Sequence, residues 1–367
     1  MVLTSAKEIA DWWYRWLFSK PPRSPVHAQV LITGKCNAKC VQCNIWSKYV
    51  DNPGLADAEL STHELLQLAD QLEDLCVKTV SISGGEPFMR KDLFRFVRAL
   101  KEKKIWVNVT TNGSMLNEEN RKAVIETHLD SLTVSIDGTE EVYSRLRKGF
   151  SFQKTFSNLK QLASLSRAVG NGKPCLNVTS IVSGNNVESI IELNNTIAQE
   201  SPGINHSFGS LISFAEQFGV SKEAGRIRGL QVDDAQMDWL LAHLPEEKDR
   251  FAYWMMRKYN AGETIFPSPF HPCLAGLFNV VISETGNVLP CCTWSEGGVV
   301  GSIRDRTLSE IWSSPEFRDK RRQIRKGHCP RCWISTYVEN SLPLWPESIV
   351  RRIGKKVGFG RRSLHSS

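Results

Sequence analysis

The 367-residue sequence has no apolar run approaching the roughly 18 residues that a membrane-spanning helix needs. Its N-terminus lacks the basic-then-apolar order of a secretory signal. Ten cysteines without such a signal argue against a disulfide framework, because disulfides persist in oxidising compartments. These absences favour a cytoplasmic protein whose cysteines bind metal. The length suffices for one large domain and a smaller one.

Net charge is absent from most of the chain and concentrated at its two ends. The formal charge is +7, of which residues 341–367 contribute +5 and residues 1–25 contribute +2. The 315 residues between them are therefore neutral. This distribution argues against nucleic acid as a partner, because a nucleic-acid-binding domain carries basic residues on its main surface beside stacking aromatics. The last segment, 341–367, is predicted to be a basic tail.

The N-terminal segment, residues 1–25, predicts an amphipathic helix. Its apolar residues recur at helical spacing: Ile9, Trp12, Trp13, Trp16 and Leu17. A tryptophan-rich helix with basic flanks suits a peripheral contact with the inner face of a membrane. The alternative is a helix packed against the bottom of the main domain, together with a solvated tail. The sequence leaves both interpretations open.

Three cysteines, Cys36, Cys40 and Cys43, follow an apolar stretch with three residues and then two between them. A structural zinc site and an ordinary iron–sulfur cube each take four protein ligands. Three thiolates on a cube leave one iron without a protein ligand, and metal-assisted chemistry requires such an open position. The spacing alone also suits three ligands of a four-ligand zinc site.

A second motif favours the open cluster. A mostly β-branched run at 77–83 is followed by Gly84-Gly85-Glu86-Pro87. The glycines let backbone amides approach a ligand closely, and the carboxylate can take an ammonium group. Together, the triplet and this tetrapeptide resemble the radical S-adenosylmethionine (SAM) superfamily.

The resemblance implies a [4Fe–4S] cluster on the three cysteines, with the open iron binding the amino and carboxylate groups of SAM. It implies that Gly84, Gly85 and Glu86 hold the methionine amine. It also implies an enzyme that reductively cleaves SAM to a 5′-deoxyadenosyl radical, which abstracts hydrogen from a substrate. A reductant such as flavodoxin or ferredoxin would supply the electron.

Strand-like and helix-like segments alternate from residue 26 to about residue 210. Repeated βα units predict an α/β fold with parallel strands and outer helices. The motifs lie at the C-terminal ends of strands, where barrel-type folds build their active sites. Six units match the partial (β/α)6 barrel of radical SAM proteins, which we therefore expect over residues 26–210.

The fourth predicted strand, 129–136, ends in Asp137-Gly138. In the family, this strand end contacts the SAM ribose, so the resemblance makes Ser135 and Asp137 candidate cofactor-binding residues. The alternative is a βα turn that uses these residues for backbone reasons. The residue before the third cysteine is often aromatic in the family and packs near adenine. Here it is Gln42, which leaves the adenine contact open.

A second cysteine set lies in the C-terminal third of the chain: Cys273, Cys291, Cys329 and Cys332. A predicted hairpin around residues 284–286 folds Cys273 and Cys291 toward each other. Two predicted helices then bring the Cys-x-x-Cys pair, Cys329 and Cys332, back toward the first two cysteines of the set. Four thiolates complete a closed shell around either zinc or an iron–sulfur cluster. Cys292 is an adjacent alternative to Cys291.

This pattern resembles the auxiliary-cluster extensions of radical SAM enzymes, which are called SPASM and, in the shorter form, twitch. The shorter form matches because no cysteine follows Cys332. The resemblance implies an auxiliary [4Fe–4S] cluster in a small hairpin-and-helix domain at 271–340, after a helical connection at 211–270. A closed shell cannot bind substrate, which favours an electron acceptor and a net oxidation. Cys76 and Cys175 are predicted to be buried core cysteines.

The sequence does not name the substrate. Twitch-bearing relatives include an aminocyclitol dehydrogenase, whereas SPASM relatives often modify ribosomal peptides. Only about 25 residues precede the predicted barrel, too few for a separate domain that binds a peptide leader. A small, sugar or lipid-linked substrate is the favoured expectation. The alternatives are a maturase of a ribosomal peptide or protein, and a non-catalytic metal protein with zinc in the second site.

Overall fold

A computed structural model describes residues 6–350, except 52, 171, 212–228, 246–247, 249, 262, 264–265, 295–296, 331 and 334. The predicted basic tail lies outside the described residues from position 351 onward. One nine-stranded sheet crosses the molecule in the order β6-β5-β4-β3-β2-β1-β7-β8-β9. Its strands are β1 His27–Thr33, β2 Thr79–Gly84, β3 Trp106–Thr111, β4 Ser131–Ser135, β5 Cys175–Val182, β6 Asn205–Ser210, β7 Asn279–Ile282, β8 Asn287–Leu289 and β9 Gly301–Ser302.

Helices follow most of the strands. In the described part of the chain they are α1 Ala6–Phe18, α2 Ile45–Asp51, α3 Thr62–Asp74, α4 Leu93–Glu102, α5 Glu118–Glu126, α6 Glu140–Leu146, α7 Phe152–Val169, α8 Val187–Glu200, α9 Asp234–His243, α10 Arg250–Asn260, α11 Leu308–Ser313, α12 Pro315–Arg325 and α13 Ser335–Ser341. Strands β1 to β6 are all parallel, as the repeated βα units predict. The α/β fold with a parallel partial barrel is confirmed.

Each barrel strand separates an apolar face from a polar one. Residues such as Val80, Ile82 and Val109 are fully buried in one large core together with the apolar faces of α3, α4 and α7. The alternate residues point away from these helices and are half-buried, as the period of two along a strand requires. The polar face therefore lines the lumen of the partial barrel, and the strand ends present their loops at one rim.

The C-terminal hairpin continues this sheet. Strand β7 pairs in parallel with β1, placing Asn279 opposite His27 and Ile282 opposite Val30. Strands β8 and β9 then extend the edge in antiparallel fashion. The sequence predicts a separate small domain over 271–340, whereas the structure joins its hairpin to the barrel through backbone hydrogen bonds. Pairing between distant strands leaves no local sequence signal, so periodicity could not predict it.

Helix α1 packs its tryptophan face against the C-terminal region. Trp12 and Trp16 are 8% and 3% exposed, and the Trp12 ring lies 6.0 Å from that of Phe278. Trp13 Nε1 donates a hydrogen bond to the carbonyl oxygen of Leu344 at 3.0 Å. The structure thus matches the packing interpretation, and the expected insertion of this face into a membrane is wrong. Among the described residues, no helix has the length and apolar character needed to cross a membrane.

Two cysteine predictions are also wrong. Cys76 and Cys175 are exposed rather than buried in the core. Cys76 follows the end of α3 with a positive φ of 55°, which turns its side chain out of the helix pattern. Cys175 is the first residue of β5, at the rim opposite the motif loops, where solvent reaches the strand.

Candidate functional site

The first cysteine loop begins two residues beyond β1. Cys40 is buried, whereas Cys36 and Cys43 are half-buried. Burial, together with the neighbouring thiols, raises the pKa of Cys36 to about 12 and that of Cys40 to about 11. Without metal these thiols are protonated at neutral pH, so a metal centre must displace their protons when it binds.

Hydrogen bonds tie this loop to the ends of three strands. After β2, Glu86 N donates to Lys35 O at 2.8 Å. After β3, Asn112 Nδ2 donates to Asn37 Oδ1 at 2.9 Å. After β4, Gln42 Nε2 donates to the Asp137 carboxylate. The parallel sheet thus gathers the motif loops around the three cysteines at one rim.

The donor set fits a cluster better than a single ion. The three thiols lie close enough to interact electrostatically with one another. Among the described residues, however, no three His, Cys, Asp or Glu side chains are grouped as one metal ion would need. Three thiolates around a larger inorganic group, with one metal position left to another ligand, agree with both observations.

Gly84 and Gly85 bring the backbone of the loop after β2 against the start of the cysteine loop. Gly84 has a φ of +129°, and a Cβ there would lie 2.3 Å from Thr33 O. A Cβ on Gly85 would lie 2.1 Å from Lys35 O. No other residue fits either position, because backbone atoms cannot yield as a flexible side chain does. The two glycines therefore keep this strand end beside the three cysteines.

The Glu86 side chain is buried. Its carboxylate is 0% exposed and accepts hydrogen bonds from Thr111 Oγ1 at 2.6 Å, Asn112 N at 2.8 Å and Phe88 N at 3.2 Å. Burial raises its pKa, against the effect of these donors. The side chain therefore points inward and braces the loops after β2 and β3 against each other. The contact of Glu86 with the amino group of SAM, which the resemblance implies, stays a prediction.

Ser135 and Asp137 have different surroundings. Ser135, the last residue of β4, is half-buried on the lumen face. Asp137 is 0% exposed and accepts from Arg147 Nε at 2.7 Å and from Ile181 N at 2.8 Å, besides Gln42. Ser135 keeps the position expected of a ligand contact, whereas Asp137 is engaged in bracing the rim.

Sequence reasoning missed Arg147 and the contact that Gln42 makes. Arg147 is 8% exposed, whereas its neighbours Arg145 and Lys148 are exposed. Three basic residues within four positions offer no local pattern that singles out the buried one. Gln42 is 6% exposed, and the unusual residue type at that position was the only available signal.

The second cysteine set lies in one region of the fold. The hairpin of β7 and β8 carries the chain from Cys273 to Cys291, and the capped helices α11 and α12 return it to Cys329 and Cys332. Cys273 interacts electrostatically with Cys291 and Cys329, and burial raises its pKa well above the usual value. Thr293 Oγ1 lies 3.0 Å from Cys291 Sγ and donates to Cys332 Sγ at 3.9 Å. Three of the four thiols are buried and Cys329 is half-buried; like the first set, these described residues are not grouped as one metal ion would need.

Cys292 is a fifth thiol at this site. It lies beside Cys291 and, with Cys332, donates to that sulfur, which lowers the pKa of Cys291. Its backbone N donates to Tyr337 OH at 3.3 Å. Tyr337 OH donates in turn to Gln29 Oε1 at 3.2 Å, and Gln29 Nε2 to Ser83 Oγ at 3.4 Å. A chain of polar groups therefore runs from the second cysteine set across the lumen wall to the residue before Gly84.

The lumen wall is polar but uncharged. Its half-buried residues include Gln29, Ser81, Ser83, Asn108, Thr110, Thr133, Ser135, Asn177 and Thr179. Several bond one another, as in Thr133 Oγ1 to Asn108 Oδ1 at 3.0 Å. The six barrel strands, all described, contain no Asp, Glu, Lys or Arg. The lumen therefore offers amide and hydroxyl groups to whatever enters it.

Two family models match this architecture. The model of the radical SAM superfamily matches residues 30–197, which carry the barrel and the first cysteine loop. The model of the SPASM iron–sulfur cluster-binding domain matches residues 273–333, which carry the second cysteine set. The chain belongs to the radical SAM superfamily. A SAM-binding [4Fe–4S] cluster, SAM itself and a further iron–sulfur cluster are the cofactors of such a protein, and the donor sets described above fit them.

Known relatives share parts of this radical SAM chain. It is 35% identical to the Fe-coproporphyrin III synthase of Methanosarcina barkeri over 116 residues, which is 32% of this chain and 28% of the relative. It is 24% identical to the PqqA peptide cyclase of Granulibacter bethesdensis over 298 residues, which is 79% of this chain and 74% of the relative. The first alignment thus spans little more than a quarter of its relative, whereas the second spans most of both proteins.

Solved structures share the fold. The crystal structure of Streptococcus suis SuiB bound to the precursor peptide SuiA has a TM-score of 0.62 to this chain at 17% identity. The match covers 87% of this chain and 73% of SuiB. The fold of most of this chain therefore occurs in a solved structure.

Proposed function

We propose that this radical SAM protein is an enzyme that modifies a ribosomally made peptide or protein. The similarity to PqqA peptide cyclase carries the proposal, because it covers 79% of this chain and must run from the barrel into the SPASM region. The shared fold with SuiB, which was crystallised with a precursor peptide, supports it. The AdoMet-dependent heme synthase of Methanosarcina barkeri is matched over a similar extent, at 23% identity over 82% of this chain, so a small tetrapyrrole substrate stays a second candidate.

At the first site, Cys36, Cys40 and Cys43 hold the cluster. When bound, the cluster and SAM supply the one-electron cleavage of SAM that leads to hydrogen abstraction from a substrate. An external one-electron donor such as flavodoxin or ferredoxin serves as the reductant. The backbone of Gly84 and Gly85 receives the methionine end of SAM.

The side chains around this site have different tasks. Glu86 holds the Gly84-Gly85 backbone in place from behind, since its carboxylate bonds only inward. Ser135 faces the lumen and contacts the ribose. Asp137 supports the cysteine loop through Gln42 and leaves the ribose to Ser135.

At the second site, Cys273, Cys291, Cys329 and Cys332 hold a cluster with a closed shell. A closed shell would leave no iron for substrate, and a cluster held by these four residues would supply a place for the electron released in a net oxidation. The polar chain through Tyr337 and Gln29 places the second site next to the lumen where that radical forms.

The lumen suits a peptide. Asparagine, glutamine, serine and threonine side chains both donate and accept hydrogen bonds, as peptide groups do. The absence of charged residues from the six barrel strands removes any fixed counter-charge for a carboxylate- or phosphate-rich substrate inside the lumen. A segment of uncharged backbone and side chains is the substrate that this wall complements.

A tetrapyrrole is the second candidate substrate. It is favoured by the higher identity, 35%, to Fe-coproporphyrin III synthase. That alignment covers 116 residues, and therefore cannot include both cysteine sets, which lie 230 residues apart from Cys43 to Cys273. Four carboxylate groups on such a substrate would also meet no cation on the described barrel strands.

The test uses anaerobically reconstituted protein, dithionite, SAM and synthetic peptides encoded by short reading frames beside its gene, with a tetrapyrrole precursor of Fe-coproporphyrin III as the competing substrate. We expect one peptide to change mass and, when deuterated, to pass deuterium into 5′-deoxyadenosine. A protein with Cys76→Ala and Cys175→Ala is the matched control and retains this activity. Deuterium transfer from the deuterated tetrapyrrole but from no peptide would assign the tetrapyrrole instead.

A membrane contact could use only part of the apolar surface that the sequence assigns to α1. Burial of Trp12 and Trp16 leaves Tyr14, Leu17 and Phe18 as the exposed apolar side of α1, with 46%, 46% and 62% exposure. We propose at most a weak peripheral contact through this side and the basic residues after position 350. Sedimentation with anionic vesicles, compared between the full chain and a chain ending at residue 350, checks it. Equal, negligible pelleting at low salt removes the membrane as a partner.

A further inference from the structure

A buried ion pair lies directly beneath the first cysteine loop. Asp137 and Arg147 are 0% and 8% exposed, and Arg147 Nε donates to Asp137 Oδ2 at 2.7 Å. A buried ion pair loses much of its attraction to the cost of desolvation, so it is a weak source of stability. Stability alone therefore does not explain why a charged pair is buried at this position.

The pair is fastened to the loop at two points. Gln42 Nε2 donates to Asp137 Oδ2, the same oxygen that accepts from Arg147. Val41 N donates to the carbonyl oxygen of Leu146, the residue before Arg147, at 2.8 Å. Residues 41 and 42 are the only two between Cys40 and Cys43. The whole span between two metal-binding cysteines is thus held against the ion pair.

Both charges of the pair lie beside Cys40. The hydrogen bonds of Val41 and Gln42, the residues that follow Cys40, hold Arg147 and Asp137 against the loop. At a buried site, charges act over short distances with little screening. A positive charge there favours added negative charge on the metal group that Cys40 holds, and a negative charge opposes it.

We propose that the Asp137–Arg147 pair sets the reduction potential of the SAM-binding cluster on Cys36, Cys40 and Cys43. This inference rests on the proposed function. One-electron reduction by dithionite or a low-potential protein donor takes the [4Fe–4S] core from 2+ to 1+ and adds one negative charge. Arg147 stabilises the reduced form and Asp137 destabilises it. Gln42 fixes the position of both charges relative to the loop. Arg147 and Asp137 are thus positioning residues, which act through the cluster.

The test is a redox titration of the reconstituted full-length protein without SAM, followed by electron paramagnetic resonance. The signal of the first cluster is the one missing from the Cys36→Ala/Cys40→Ala/Cys43→Ala protein. We expect Arg147→Gln to lower the ratio of reduced to oxidised cluster at fixed potential about tenfold, or ~59 mV for a one-electron couple. Asp137→Asn should shift the ratio in the opposite direction. Arg147→Lys, which keeps the charge, should stay near the wild-type value.

Tyr143→Phe is the matched neutral control. Tyr143 lies in the same buried group, and its hydroxyl donates to Thr155 Oγ1 at 3.2 Å. Because it carries no charge, its replacement should leave the potential unchanged. If Arg147→Gln fails to load the cluster, Asp137→Asn decides alone, and a fall or no change overturns the proposal. Shifts of the two charge variants in the same direction also overturn it, since that result marks a merely structural role.

The proposed function can fail separately. Opposite shifts in a protein that releases no 5′-deoxyadenosine would support the electrostatic role and refute the enzymatic one. Unchanged potentials in a protein that cleaves SAM would do the reverse.

Discussion

The two cysteine sites of this chain lie in contrasting surroundings. The first has three thiols in a half-buried loop at the rim of the barrel, beside glycine backbone and a charged pair. The second has four thiols and a neighbouring fifth inside an apolar cluster that includes Trp294, Trp333 and Trp345. The first site offers three thiols beside a polar lumen, and the second offers four thiols that lie mostly among aromatic side chains.

Under the proposed function, this difference separates a site of chemistry from a site of electron transfer. An iron without a protein ligand can take a substrate or cofactor only where solvent and backbone give access, as at the first site. Burial among aromatic side chains limits the access of ligands but does not prevent electron transfer. The proposal therefore assigns the two roles from burial and ligand number.

The largest expected effect comes from emptying the first site. Replacing Cys36, Cys40 and Cys43 with alanine should abolish release of 5′-deoxyadenosine in an anaerobic dithionite assay, because no other described thiols can hold an open cluster at the rim. The protein with Cys76→Ala and Cys175→Ala serves as the control, since both of these cysteines are exposed and lie away from the loops. Equal release from the triple variant and wild type would contradict the claim that SAM is cleaved at the first site.

Emptying the second site should have a partial effect. Wild-type protein should contain about eight irons, and Cys329→Ala with Cys332→Ala should lower this to about four, the content of one cube. Cleavage of SAM without substrate turnover should survive, whereas modification of the substrate should stop for lack of an electron acceptor. Stoichiometric zinc with only four irons in the wild-type protein would refute the electron-acceptor role but leave the first site intact.

A moderate effect is expected from the helix that covers the second region. Trp12→Ala should lower the free energy of unfolding by about 3 kcal/mol, because it empties a site packed against Phe278. Phe18→Ala is the matched control, since Phe18 is 62% exposed and its loss should cost little. Urea unfolding followed by circular dichroism measures both. Equal midpoints for the two variants would return α1 to the membrane interpretation.

The smallest effect is expected at the ion pair that joins the C-terminal hairpin region to the barrel. Arg304 Nε donates to Glu64 Oε1 at 2.6 Å, linking the segment after β9 to α3. The Arg304 guanidinium lowers the pKa of Glu64 from 4.5 to about 2. A depressed carboxyl pKa stabilises the fold above the unfolded value of 4.5 and loses this contribution as pH falls toward 2.

Glu64→Gln should therefore reduce stability at pH 7 by under about 1 kcal/mol, the usual range for a solvent-accessible pair. It keeps the hydrogen bond that caps α3, so it isolates the ion pair. The difference from wild type should shrink between pH 4.5 and pH 2. Arg304→Gln should show the same loss, and a loss that is independent of pH would mean that the pair is not its cause.

Local patterns were enough to predict the elements of the fold. The predicted β-branched run at 77–83 and the predicted strand at 129–136 lie within two residues of β2 and β4 at each end. The two cysteine sets also follow from spacing, since each lies on a short segment or a hairpin. Helix α6 was missed because its seven residues are too few to show a period.

Side-chain direction and long-range pairing could not be predicted. Glu86 points inward because it accepts hydrogen bonds from Thr111 and from the amide of Asn112, which belong to the next strand end, as well as from the amide of Phe88. Asp137 pairs with Arg147, which resembles its basic neighbours in sequence. The pairing of β7 with β1 likewise connects residues some 250 positions apart, beyond any local signal.

One measurement tests the contrast between the sites most directly. SAM labelled with 15N in its amino group and 17O in its carboxylate is added to reduced protein, and electron–nuclear double resonance detects coupling of these nuclei to a cluster. Coupling should appear in the Cys329→Ala/Cys332→Ala protein, which keeps only the first cluster, and be absent from the Cys36→Ala/Cys40→Ala/Cys43→Ala protein. Coupling in the protein that keeps only the second cluster would contradict the assignment of the open and the closed site.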